Sequence, residues 1–159
     1  MPGDVLLHPL VVIALLTVAA NDLYLKVEHP GFFSGKLSDF GALLYFPLFA
    51  VAVVEAGRWA LRRRPWQLTE RSVGIAVAAV GVVFTLIKVS RPFADLWRSY
   101  VGYVVWPGRA AISIAAGDGW PAVAQVGVIE DPTDLVALPA LAVAALIGRR
   151  VLGKLPERR

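Results

Sequence analysis

Residues 72–90 read SVGIAVAAVGVVFTLIKVS, with no charge after Arg71 until Lys88. As a helix rising about 1.5 Å per residue, this stretch is long enough to cross the roughly 30 Å hydrocarbon core of a bilayer. Three further apolar runs of similar length flank it, at residues 5–25, 38–57 and 132–152. Together they predict an all-α membrane protein with four transmembrane helices in a single domain.

Composition agrees. Apolar residues make up 57% of the 159-residue chain, and mean hydropathy is +0.64. A soluble domain is nearer 45–50% apolar, and a small globule cannot hide the excess. With no cysteine, disulfides, thiolate metal sites and cysteine nucleophiles are excluded. No cleavable signal peptide is expected, because Met1-Pro2-Gly3-Asp4 lacks a positive n-region and the first apolar run ends in Asn21-Asp22.

Arginine and lysine set the expected orientation. Arg58, Arg62, Arg63, Arg64 and Arg71 lie between the second and third runs, and Arg149, Arg150, Lys154, Arg158 and Arg159 lie at the end. Ten of the 16 basic residues thus fall on one side, while residues 21–39 and 88–134 carry six basic and eight acidic residues. The positive-inside rule makes the basic side cytoplasmic, with both termini there. Trp59 and Trp66 on that side, and Trp97, Trp106 and Trp120 on the other, suit interfacial belts.

Residues 94–130 form an extracytoplasmic insertion. A short interfacial helix is expected over 94–106. Residues 110–115 and 123–129 lean towards strand around the turn-rich Ala116-Gly117-Asp118-Gly119-Trp120-Pro121, which predicts a small β-hairpin.

The chain also resembles itself. Lys26-Val27-Glu28-His29-Pro30 closes the first helix and Lys88-Val89-Ser90-Arg91-Pro92 the third. Ser38-Asp39-Phe40-Gly41-Ala42-Leu43 opens the second and Thr133-Asp134-Leu135-Val136-Ala137-Leu138 the fourth. This predicts a parallel two-fold repeat, helices 1-2 and 3-4, about an axis along the membrane normal. Only 14 residues separate Asp134 from Arg149, roughly 21 Å of helix, so ionisable groups are drawn towards membrane depth. Lys26, Asp39, Lys88 and Asp134 are expected to converge near the outer face, with Asn21 and Asp22 slightly deeper and Lys36, His29 and Arg91 around the mouth.

Three chemistries fit such a cluster. Asp131-Pro132-Thr133-Asp134 reads as an N-cap, a proline at N1 and an acid at N3, so both aspartates can serve as helix caps, with the lysines at helix C-termini. The ammonium groups and helix N-termini also suit an anion or a zwitterionic lipid headgroup. An ion or proton pathway would need an acid in a central plane, where there is none. His8 and His29 sit at opposite faces and cannot share a metal, and no zinc spacing is present. Ser34, Ser38, Ser99 and Ser113 lack a nucleophile-elbow context, and Gly117-Asp118-Gly119 lacks the rest of a phosphate loop. No cofactor or nucleic-acid partner is expected, since the Arg62-Arg63-Arg64 run is explained by topology. Glu55, one turn before Arg58, reads as an i,i+3 pair.

The second and fourth helices resemble those of VanZ-like membrane proteins. The resemblance rests on Lys36-Leu37-Ser38-Asp39-Phe40-Gly41-Ala42-Leu43, a returning helix opened by a charged residue and an aromatic, and on Asp131-Pro132-Thr133-Asp134-Leu135-Val136-Ala137-Leu138 through Gly148-Arg149, and covers about a third of the chain. Where that family has a histidine, Asp39 or Phe40 stands here, and its acid and glutamine at the end of helix three have no counterpart around Thr85–Lys88. Gly35-Lys36-Leu37-Ser38-Asp39 together with Asp-Pro-Thr-Asp-Leu is also similar to small bacterial membrane proteins of comparable length. The VanZ resemblance implies cell-envelope biology. The reading that follows is a protein without evident catalysis that binds an anionic or lipid-linked ligand at its outer face. An accessory subunit of a larger membrane complex, with Ala76, Ala78, Ala79 and Gly81 offering a small-residue face, and a small transporter or channel, assembled as a homo-oligomer, are the alternatives.

Overall fold

A computed structural model describes residues 3–29, 31–63 and 69–152. Among them are four helices long and apolar enough to cross a membrane, as expected of a membrane protein. In chain order the helices are α1 (Pro9–Glu28), α2 (Phe32–Arg62), α3 (Glu70–Val89), α4 (Arg91–Ala116) and α5 (Pro132–Leu152). The chain divides into two compact units, Met1–Val82 with Asp134–Arg159, and Val83–Thr133.

In the first unit each start has a local cause. His8 caps α1, its side chain accepting from Leu10 N–H at 3.3 Å, and Pro9 opens the helix with the fixed φ and missing N–H that suit this position. At α3 the cap is reciprocal: Ser72 N–H donates to Thr69 Oγ1 at 3.2 Å, and Thr69 N–H donates to Ser72 Oγ at 3.0 Å. The first six residues of α5, Pro132–Ala137, wind as a tighter 3₁₀ turn, and α-helix resumes at Pro139. Pro139 has no N–H to give and its ring disfavours the α conformation for Leu138, so the break falls there.

α1 and α2 run antiparallel, in a register read directly from side chains. Asn21 meets Ser34 and Ser38, Gly41 lies against Ala14 and Val18, and Gly3 N–H donates to Glu55 Oε2 at 3.1 Å. Val5, Val11, Leu48, Ala52, Ala144 and Ile147 make one buried cluster across α1, α2, α5 and the N-terminal turn. α3 and α5 are also antiparallel: Gly148 lies against Val73, and Gly81 against Leu141. Glycine at these points lets backbones approach, which is how helices associate when lipid is as apolar as leucine. Leu16, Phe46, Val53, Ile75 and Leu146 stay exposed, an arrangement that water would penalise and lipid would not.

α2 has 31 residues, roughly 46 Å of helix. It begins at Phe32, six residues before the expected opening at Ser38, so Asp39 lies two turns inside it and is no first-turn acid.

The second unit departs from expectation. No β-hairpin forms: residues 110–115 belong to α4, and residues 118–131 run as irregular chain without strand pairing. Residues 110–116, AAISIAA, contain four alanines, and alanine is the strongest helix former. The turn-rich run is the helix stop. Gly117, at φ 86°, takes the left-handed position after α4. Its N–H donates to Ile114 O, and Asp118 N–H donates to Ser113 O, a Schellman closure.

Residues 118–131 then strap back along α4. Trp106 Nε1 donates to Pro121 O at 2.8 Å, Gln125 Nε2 to Ser99 Oγ at 3.0 Å, and Arg98 reaches Asp95, Val128 O and Glu130. Hydrogen bonding to Asp95 first, and to Glu130, raises the Arg98 pKa above its ordinary value. The strap fits because Gly102 has no side chain: a Cβ there would sit 2.5 Å from Ala124 O. Gly102→Ala is therefore expected to lift the strap and cost about 1–3 kcal/mol locally, the usual penalty of overpacking. Limited proteolysis should then cut within residues 118–131 faster than in the wild type, and an unchanged cleavage rate would refute the contact.

Candidate functional site

The site is built where α1 ends and α2 begins. Asn21–Leu25 of α1 is a π-helical turn, closed by Lys26 N–H donating to Asn21 O five residues back. Such bulges disturb the side-chain spacing of a helix and occur often at functional positions. Here the turn leaves Asn21 fully buried against α2.

Asn21 Nδ2 donates to Ser34 O at 2.5 Å and to Ser38 Oγ at 2.6 Å. Ser38 Oγ donates onward to Asp22 Oδ1 at 2.6 Å, and Lys26 Nζ lies 2.6 Å from the same oxygen. A carbonyl can only accept, so the Ser34 contact fixes which end of the Asn21 amide faces α2. Both amide protons are then used. Asn21 Oδ1 is buried with no hydrogen-bond partner among the described residues.

One turn along α2 from Phe32, Lys36 is buried and forms an ion pair with Asp134 at the start of α5, also buried. Lys36 Nζ also lies 4.6 Å from the centroid of the Phe32 ring, a cation–π contact that strengthens away from water. The pair ties together residues 98 positions apart in the chain.

Beside these groups opens a groove of about 610 Å³, in the size range of small-ligand pockets. Leu25, Phe33, Leu37 and Phe40 form its apolar walls, Asn21, Ser34 and Lys36 its polar part, and His29, Gly31 and Phe32 complete the lining. Phe33 and Phe32 are largely exposed, so the apolar wall continues to the surface.

Within the first unit the expected site residues fall into two groupings. Asn21, Asp22 and Lys26 form one hydrogen-bonded chain, but Lys26 is matched by Asp22 of its own helix and is substantially exposed. Asp134 meets Lys36, which was expected at the mouth and instead lies inside. Asp39 is half-buried on α2. Lys88 and Arg91 belong to the second unit. There Lys88 Nζ lies 5.4 Å from the Phe84 ring centroid, and Arg91 is exposed at the first position of α4. Asp131 caps the turn before α5, its Oδ1 accepting from Thr133 N–H and Oγ1. Ser34 and Ser38 matter as hydrogen-bond partners rather than nucleophiles. Their sequence signal was the spacing Ser34, Ser38, Gly41, three small residues on one face of α2.

Among the described residues no group of three His, Cys, Asp or Glu side chains is placed to hold a metal ion. No protein-family model matches the chain, and no curated protein or solved structure is significantly similar to it.

Proposed function

We propose that this protein binds a lipid-linked or anionic amphiphile in the α1–α2 groove, at the outer face of the cytoplasmic membrane, without chemistry of its own. One observation carries the reading: an apolar groove of about 610 Å³ beside a buried Lys36 and a buried Asn21. Aromatic and aliphatic walls suit acyl or isoprenoid chain, and the polar groups suit a headgroup. The lipid-linked half has the greater support. The anionic half rests on Lys36, whose charge Asp134 already opposes.

The groove lies at the end of α2 opposite Arg58, Arg62 and Arg63, and the positive-inside rule assigns that basic end to the cytoplasm, together with both termini. We also take helices α1–α2 and α3–α5 as two parallel halves, each an apolar helix followed by a returning one that carries a Ser/Thr-Asp pair, Ser38-Asp39 and Thr133-Asp134. The VanZ-like residues at 36–43 and 131–138 are in keeping with an envelope role.

The test is lipid retention. Wild-type protein and Leu37→Trp, which fills the groove, are delipidated in detergent and offered phosphatidylglycerol and phosphatidylcholine, and bound lipid is counted by native mass spectrometry. Leu37→Trp should retain about tenfold less lipid, the loss of roughly 1.4 kcal/mol of binding. Equal retention by the two proteins would sink the reading.

A further inference from the structure

α4 sorts its residues by face. Its charged residues, Arg91, Asp95, Arg98 and Arg109, fall within an arc of about 60° at 3.6 residues per turn. Arg98, Gly102 and Trp106, which meet the strap of residues 118–131, stand on the same side. The opposite arc, about 100° wide, holds Phe93, Leu96, Trp97, Tyr100, Val104 and Ala111 and no charge. On it Leu96, Tyr100 and Val104 are 65%, 58% and 59% exposed. The strap thus covers the polar side and leaves the apolar side open.

What meets that side follows from chain continuity. Only Ser90 separates the end of α3 at Val89 from the start of α4 at Arg91. α3 is long and apolar enough to cross the membrane, and α4 is not among the helices that are. Ser90 is extended, at φ −124° and ψ 104°, and Pro92 lies in the first turn of α4, so the chain leaves the axis of α3 where α3 leaves the bilayer. Leu86 and Val89 at that end are exposed, which carries lipid-facing surface up to the apolar side of α4.

We infer that α4 lies in the plane of the membrane where α3 emerges, its apolar face set into the boundary between headgroups and acyl chains and the strap towards water. The interfacial helix expected over 94–106 thus extends to Ala116, and its attachment is apolar, not electrostatic. Helices that lie on membranes commonly carry a basic face that adds attraction to anionic lipid. Residues 91–131 carry three basic residues against four acidic ones, and Arg98 is already held by Asp95 and Glu130. Phe93, Trp97 and Tyr100 supply rings of the kind that settle at this depth. The inference is independent of the α1–α2 groove.

The chain has no cysteine, so single nitroxide labels can be placed on Leu96→Cys, Val104→Cys, Ala111→Cys and Arg109→Cys, all at exposed positions where a label leaves the packing intact. The full-length protein is reconstituted in phosphatidylcholine vesicles, and label depth is read from collisions with oxygen and with a water-soluble nickel chelate. Labels at 96, 104 and 111 should lie at one common depth, about 5–10 Å into the headgroup and acyl boundary, with oxygen favoured. The label at 109 should favour the nickel chelate. The depths should be unchanged in phosphatidylglycerol vesicles. Nickel access at all four positions would overturn the inference. A depth gradient of about 22 Å between 96 and 111, the rise of an upright helix, would overturn it as well. Protection from both reagents at 96 and 104 would show a second copy or another protein on this face and overturn lipid as its occupant. Insertion seen only with phosphatidylglycerol would overturn the apolar attachment.

Discussion

Lys36→Ala should lower the stability of the folded protein by about 3–5 kcal/mol, the cost of leaving a buried charge without its partner. The same loss is expected for Asp134→Ala. Both groups are buried, and they join the start of α2 to the start of α5, so the damage is to closure of the bundle at that end. The double replacement Lys36→Met/Asp134→Leu should recover most of the loss, because a buried pair exchanged for apolar residues of similar volume is often neutral or stabilising. The single variants and the double variant thus form a cycle in which the coupling is large and of one sign. Unfolding in mixed micelles, followed by helical circular dichroism, measures it. Single variants within about 1 kcal/mol of wild type would mean that the pair is solvated and contributes as little as a surface salt bridge.

How far the sequence was readable differs from element to element. The four spans were legible because lipid imposes one simple demand, an apolar stretch of set length, and each stretch carried it. Their starts were less so. Helix α2 begins at Phe32 because Gly31 and Ser34 close its first turn by hydrogen bonds, a quieter sequence signal than the acid of Ser38-Asp39. In the insertion, residues 110–115 are helical because their alanines prevail over the β-branched Ile112 and Ile114, and Gly117 marks a helix stop and not a hairpin turn. The charged residues stand out in the sequence, but the partners that Lys26 and Lys36 take were not legible. Pairing Lys26 with Asp22 requires only one turn of helix, which competes locally with any distant aspartate. Lys36 reaches Asp134 through the packing of α2 against α5, and no local pattern encodes that packing. The least legible feature was the π-helical turn at Asn21–Leu25, since one extra residue in a helical turn leaves no compositional trace.

The tight contact of α2 with α1 at Gly41 should be the next most sensitive point. A Cβ on Gly41 would lie 2.4 Å from Val18 Cγ2 and 3.1 Å from the Ala14 carbonyl oxygen. Gly41→Ala is expected to destabilise the protein by about 1–3 kcal/mol through overpacking, although alanine is the better helix former. The two contacts predict how the damage divides. Val18→Ala removes the methyl that clashes, leaving the carbonyl, which can give way by a few tenths of an ångström. Gly41→Ala/Val18→Ala should therefore be more stable than Gly41→Ala alone, even though Val18→Ala by itself removes apolar contact. The same shift would reach the ligand groove. Gly41 stands one turn from Ser38, and pushing α1 away there lengthens the Asn21 Nδ2 to Ser38 Oγ bond now at 2.6 Å. Hydrogen exchange of the Asn21–Leu25 turn should accelerate in Gly41→Ala and slow again in the double variant. Additive behaviour of the two substitutions would show that α1 and α2 do not meet at this point.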